Sequence, residues 1–465
     1  MNASDSWVLK YNVMNSQTRK ILFYFFVFMF FALSAIILPY SFGYKLNFSG
    51  MKLQRTGMFD IKTTPSGATI YLNNKKQSNF LGQISGRESV AKTPIKLKNI
   101  IPGTYQIKLE LDGYWPWEKQ LIIKPGETTY LEDVYFFKKQ EPTLLDSANL
   151  VDIKEIAVSG DRKHIAVLSD GQLKIFSWDK NQIVQTINLP KDIKGGLFWS
   201  PNNQKIACDR LIIDWRNQSL TDLKDIGINS INHLAWLDDN TFYFQEKDEI
   251  KRLNLKNNQL ATTTFKKDIA DFIIENGHLY IIYNGTQASL SINKINGNEV
   301  KELQKIKLKS YEKYRFIKLN SSNVNFQELS SKKLYTLNDK LPWVNDYSFK
   351  EIGALSVGQW VNSDKLIFSN NYELNLWTKD SDQSKMLTRI SNSISALAWH
   401  KSNNYVVFAT DKTINNLELD DRDTYSIATL LSLPKIDYPV FNSDGNEIFF
   451  FAEVNGQSGF YLLEI

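Results

Sequence analysis

The stretch "WSPNNQKIA", Trp199 to Ala207, sets an aromatic residue at the end of a short apolar run, then a polar turn, then a second apolar run. Each turn residue reverses the chain for its own reason. Proline presets φ, serine and asparagine side chains bond the local backbone, and asparagine tolerates left-handed φ. The order recurs along the chain. Trp236 leads through Asp238-Asp239-Asn240 into Phe242-Tyr243-Phe244, and Trp360 leads through Asn362-Ser363-Asp364 into Leu366-Ile367-Phe368. Trp399 leads through Ser402-Asn403-Asn404 into Val406-Val407-Phe408, and Phe441 leads through Ser443-Asp444-Gly445-Asn446 into Ile448-Phe449-Phe450. Val158, Ile273 and Ile317 occupy the same register less regularly, which gives eight positions spaced by about 40 residues.

Nearly every unit holds two further strand-like runs, such as "QLKIFSW" with "IVQTINL". Four short strands in each repeat of about 40 residues are the signature of a β-propeller blade. One such sheet cannot bury both its faces; neighbours stacked around an axis can, and closing the ring protects the edges. Trp199, Trp236, Trp360, Trp399 and Phe441 are then expected to pack between blades. Eight blades are favoured and seven allowed, because the unit from Ile317 to Leu337 is the least regular. The segment Thr143 to Leu150 is available to complete the last blade. The "WSPNNQKIA" and "FNSDGNEIFFF" turns resemble the repeats of TolB-like and related WD-like propellers, over Ile153 to Ile465. That resemblance implies a fold and says little about function.

A chain of 465 residues has room for more than this region. From Ile21 to Pro39, "ILFYFFVFMFFALSAIILP" runs 19 residues without a charge. About 20 such residues cross a bilayer core as helix. The reading is a cytoplasmic segment over 1–20 and a transmembrane signal anchor over 21–43. A cleaved signal peptide, with Ala32-Leu33-Ser34 as its small-x-small site, is the alternative. The long leader and the apolar run beyond that site favour the anchor. Lys10, Arg19 and Lys20 precede the span and Lys45, Lys52 and Arg55 follow it, so flanking charge leaves the orientation tied.

Between anchor and propeller, "TTPSGATIYLNNK" (Thr63 to Lys75) places a Pro-Ser-Gly-Ala turn between two strand-like runs. Thr64-Pro65-Ser66-Gly67 is expected to form a type I turn. Further strands follow Thr93-Pro94, Pro102-Gly103 and Pro125-Gly126, making a small all-β domain of about eighty residues over 56–138, with the propeller over 139–465. The segment resembles the PEGA domain, a small β-sandwich of prokaryotic surface and envelope proteins. The naming motif appears as Pro65-Ser66-Gly67-Ala68, followed by Thr93-Pro94, Pro102-Gly103-x-Tyr105, and Gly113-Tyr114 with Trp117. Serine stands where the family carries an acidic residue. The resemblance implies an extracytoplasmic location and breaks the charge tie, with the N-terminus inside and the C-terminal domains outside.

Chemistry is sparse. A net charge of +5 does not point to nucleic acid. The single cysteine, Cys208, allows no intrachain disulfide and no cysteine-based metal site. His164, His233, His278 and His400 lie apart, without the spacing of metal ligands, and no G-x-S-x-G elbow occurs. Asp420, Asp421 and Asp423 lack the alternating ligands and glycine of a calcium loop and read as a polar turn. No catalytic residue, cofactor or metal is expected. The function expected is that of a membrane-anchored envelope protein whose propeller binds a protein or glycan partner without catalysis, through exposed loop aromatics such as Trp343. The alternatives are a propeller hydrolase or lyase acting on envelope polysaccharide, and an accessory subunit of a membrane complex.

Overall fold

The computed structural model describes residues 15–47, 52–78, 90–231, 233–246, 249–263, 268–297, 299–319, 324–338, 348–362, 364–379 and 384–465. The chain divides into two compact units, Met1–Phe136 and Phe137–Ile465.

The first unit opens with a helix, Ser16–Ser41, none of whose side chains is buried. It starts ahead of the apolar run because Asn15 caps it, accepting from Gln17 N at 3.4 Å. The helix has the length and composition of a membrane span or of a signal sequence. An antiparallel ribbon follows, Tyr44–Asn47 against Lys52–Arg55. The rest of the unit is a sandwich of two sheets. One orders Ile95–Ile100, Gly57–Thr64 and Thr128–Tyr135, the last pairing parallel to Gly57–Thr64. The other orders Lys75–Lys76, Thr69–Leu72, Gly103–Glu110 and Trp117–Ile123. Period-two patterning decides what is buried. In Trp117–Ile123 every second residue faces the core and the others face water. The Thr64–Pro65 and Thr93–Pro94 peptides are cis, and Gly67 N donates across to Thr93 O at 2.8 Å.

The described residues of the second unit form eight four-stranded antiparallel sheets. Numbered as blades, they span 153–188, 197–222, 234–263, 269–307, 314–354, 357–389, 394–432, and 436–464 with 143–147. Strands a to d run in chain order in the first seven, and the a strands of blades 1 and 2, 3 and 4, 4 and 5, 6 and 7, and 7 and 8 contact one another. Trp199, Trp399 and Phe441 end their a strands, and Trp236 and Trp360 lie two residues before the ends of theirs. Apolar clusters are shared by blades 1 and 2, 2 and 3, 3 and 4, 4 and 5, 5 and 6, and 6 and 7. Another joins blade 8 to blade 1 through Phe449, Phe451 and Phe460 against Ile165, Phe176 and Trp178.

The a–b turns of blades 1, 2 and 8 obey one hydrogen-bonding rule. Ser200 N donates to Lys205 O at 2.8 Å, Lys205 N donates to Ser200 Oγ at 2.9 Å, and Asn203 takes a φ of 59°. Blade 1 repeats this with Ser159, His164 and Arg162; blade 8 does so with Asn442, Glu447 and Gly445. The turns also bond between blades. Gly160 N donates to Asn203 Oδ1 at 2.8 Å, Asn202 N to Asp239 Oδ1 at 2.9 Å, and Lys401 N to Asp444 O at 2.7 Å.

His400 holds the serine position of this rule in blade 7. His400 N donates to Tyr405 O at 3.0 Å, and its Nδ1 accepts from Ser402 N at 3.2 Å. An accepting Nδ1 needs the neutral ring. The side chain is fully buried, and burial, followed by the neighbouring Lys401 charge, pushes its pKa down to about 4. A group whose pKa falls on folding contributes stability that is complete above the unfolded value and lost as pH falls toward the folded one. The wild-type chain should therefore lose about 3 kcal/mol from this group between pH 6.5 and 4. His400→Asn places the capping residue of blade 8 there and removes the titration. Denaturant melts across that window should show a shallower acid loss for the variant; equal losses would contradict the assignment.

Blade 8 closes with strands from two distant parts of the chain. Thr143–Ser147 pairs with Gln457–Glu464, Thr143 opposite Leu462 and Ser147 opposite Gly459. Lys138 adds an ion pair to Glu464 at 2.8 Å. The approach is tight at Gly459, where a Cβ would lie 2.3 Å from Asp146 O and 2.7 Å from Leu144 Cδ1. Gly459→Ala should lower unfolding free energy by about 1–3 kcal/mol through overpacking, while Ser458→Ala changes it little. A thermal scan in which the two variants match would contradict this closure.

Candidate binding surface

The sandwich motif residues brace one another. Thr93 Oγ1 accepts from Gly67 N at 3.1 Å and Ala68 N at 3.0 Å, and lies 2.6 Å from Thr63 Oγ1. Gly67 takes a φ of 98°, which a side chain would resist, and Ala68 is fully buried. Tyr105 OH closes over the Pro102-Gly103 turn by donating to Ile101 O at 2.7 Å. Past Gly113, Tyr114 meets Phe136 edge-on at 6.2 Å, and Trp117 is buried in the same core. Phe137 belongs to the second unit, with its ring 5.2 Å from His400 and 5.1 Å from Tyr405.

The blade aromatics do more than fill space. Trp199, Trp236, Trp360 and Trp399 each lie in a cluster shared with the preceding blade. In two of them the indole also donates to the preceding a strand: Trp199 Nε1 to Ala157 O and Trp236 Nε1 to Phe198 O, both at 3.1 Å. Phe441 is buried and its carbonyl accepts from Arg162 Nη2 of blade 1 at 3.3 Å. The sequence carries a sign of this, since tryptophan can donate where phenylalanine cannot.

Three polar side chains of the a strands accept from backbone N–H groups. Glu155 accepts from Gly196 N at 2.5 Å and Leu197 N at 3.0 Å, Asp271 from Phe316 N at 2.6 Å, and Gln359 from Trp399 N at 2.9 Å. Each crosses to the a strand of the next blade. Asp271 also holds His233 at 2.9 Å. Burial pushes His233 down, but the hydrogen bond and charge of Asp271 outweigh it and raise the pKa above its ordinary value. Burial lowers His164, whose ring lies 5.0 Å from Trp215, and pushes the Cys208 thiol up to about 12. Asp420 clamps Arg422 within its turn, Nε to Oδ1 at 2.9 Å and Nη2 to Oδ2 at 2.7 Å. Among the described residues, no group of three or more His, Cys, Asp or Glu side chains is placed to hold a metal ion.

Exposed apolar groups gather elsewhere. Antiparallel order puts the b–c turns and d–a connections at one end of the blades, opposite the a–b turns. At that end Tyr311, in the connection between blades 4 and 5, is 80% exposed, with a φ of 64°. Leu329 and Tyr372, in the b–c turns of blades 5 and 6, are also exposed. Hydrogen bonds tie these loops to one another and to the b–c turn of blade 4. Tyr311 N donates to Gly285 O at 3.1 Å, Ser330 Oγ to Glu312 at 2.6 Å, and Lys332 Nζ to Asn371 Oδ1 at 3.4 Å. Ser330 and then Lys309 hold the Glu312 carboxyl below its usual range. This arc carries no repeat signature, so periodicity could not reveal it. Trp343 lies outside the described residues.

No curated protein matches the chain in sequence. Among solved structures, the chain is similar to the Dos1 propeller, at 15% identity and a TM-score of 0.47, covering 70% of this chain and 94% of that one. Porphyromonas gingivalis dipeptidyl peptidase 4 aligns at 8% identity and a TM-score of 0.49, covering 70% of this chain and 61% of that one. The β-propeller domain of Cps50 (Swd1) from Myceliophteria thermophila aligns at 12% identity and a TM-score of 0.40, covering 58% and 96%. Residues 56–134 match the PEGA domain family, and that segment of the chain is a PEGA domain.

Proposed function

We propose that the chain is a single-pass protein of a prokaryotic cell membrane, N-terminus in the cytoplasm, whose PEGA domain and propeller lie outside. Its propeller binds an envelope protein or glycan at the b–c and d–a end of blades 4 to 6 and performs no chemistry on it. The apolar helix supports the anchor, and the PEGA domain supports the location. The exposed arc of Tyr311, Leu329 and Tyr372 carries the binding reading. A bulky residue held at positive φ in water costs about 1 kcal/mol against glycine, and such outliers persist where function needs them. Tyrosine also supplies contact area at low entropic cost.

Two experiments test this. Protease added to intact cells should digest the propeller and spare an N-terminal tag; a propeller that survives until the membrane is opened contradicts the orientation. Tyr311→Gly should raise stability by about 1 kcal/mol, because the strain is relieved, yet weaken capture of the partner crosslinked to the full-length protein in its native membrane. Unchanged crosslinking in a Tyr311→Gly, Tyr372→Ala double variant would remove the arc from the binding surface. Turnover of envelope polysaccharide, abolished by changing one carboxylate without unfolding, would overturn the non-catalytic reading.

A further inference from the structure

The ribbon between the helix and the sandwich, Tyr44–Asn47 with Lys52–Arg55, pairs with no third strand among the described residues and forms a two-stranded sheet of its own. Two isolated strands are marginal in water and need a surface to pack on. The sequence places one beside them. The helix ends at Ser41, Phe42 follows with its N–H bonded to Leu38 O at 3.0 Å, and Tyr44 begins the ribbon. The ribbon then returns to where it began. Thr56 N and Thr56 Oγ1 both donate to Gly43 O at 2.6 Å, and Gly57 opens the first sandwich strand. The ribbon is thereby pinned at the helix end and cannot act as a stalk.

Its two faces differ. Tyr44 pairs with Arg55, and Leu53 stands two residues before Arg55, so Tyr44 and Leu53 share a face. Lys45 and its partner Gln54 take the other. Phe42, Tyr44 and Leu53 are all exposed, at 72%, 38% and 55%. Exposed aromatic and aliphatic groups at the end of an apolar helix match the chemistry of the headgroup boundary, where aromatic rings collect and long cationic side chains reach outward.

We propose that this ribbon is an interfacial element: its Tyr44 and Leu53 face lies in the headgroup–acyl boundary of the bilayer that the helix spans, and its Lys45 face is turned to water. The proposal rests on the membrane reading above. It makes the ribbon a second, peripheral contact with lipid that fixes the first sandwich strand at the membrane surface.

Spin-label depth measurements on the full-length protein, reconstituted into vesicles of phosphatidylethanolamine and phosphatidylglycerol, test it. Cys208 is fully buried with its thiol pushed up to about 12, so added cysteines label selectively. Phe28→Cys reports the helix, and Ser66→Cys, at the far end of the strand that starts at Gly57, reports water. Leu53→Cys and Tyr44→Cys should collide with a water-soluble nickel chelate several-fold less often than Ser66→Cys and with oxygen more often, and Lys45→Cys should match Ser66→Cys. If Phe28→Cys reads buried while Leu53→Cys and Tyr44→Cys read as water, the ribbon proposal is overturned and the anchor stands. If Phe28→Cys also reads as water, both are overturned.

Discussion

The pairing of Thr143–Ser147 with Gln457–Glu464 brings together strands more than 300 residues apart. Every other blade is built from consecutive strands and is local in sequence. Without the distant pair, the last blade would keep three strands and present an open edge, the kind of template that invites aggregation. With it, the cluster between blades 8 and 1 can form, with Phe449 and Phe460 stacked 5.1 Å apart and Phe449 against Phe176 at the same distance. The closing contact is also costly in chain entropy, because loop closure must come before its reward. The absence of a side chain at Gly459 fits that tightness.

Between the other blades the work is divided. Apolar clusters bury the facing surfaces from blade 1 through blade 7, and polar groups cross between inner strands. Trp199 and Trp236 contribute to both, burying their rings while their N–H groups reach back one blade. Glu155, Asp271 and Gln359 reach forward one blade. These bonds satisfy backbone donors at the inner strands, where an unmet donor would cost about 1–3 kcal/mol. Carboxylates engaged in this way serve assembly of the ring.

The repeat was legible because each blade must solve the same burial problem, and the solution leaves an aromatic residue and a polar turn at a fixed interval. The PEGA segment was legible because Thr93 holds the Pro65 to Ala68 turn and Tyr105 closes on Ile101 beside its own Pro-Gly turn. Other features were hidden. The parallel pairing of Thr128–Tyr135 leaves no mark in alternation, which is the same for either direction. The indole bonds depend on which blade lies next door, and a periodic pattern cannot encode that. Tyr311 was invisible because a loop residue at positive φ has no period, and only its exposure and its bonded neighbours bring it forward.

Hydrogen exchange of the full-length protein, followed by mass spectrometry on peptides covering 143–147 and 457–464, separates a closed ring from an open one. A closed ring predicts that both segments exchange slowly and lose protection together as denaturant is raised. Fast exchange at 143–147 beside a protected 457–464 would mean that the last blade stands open, and would contradict closure of the ring by strands from its two ends.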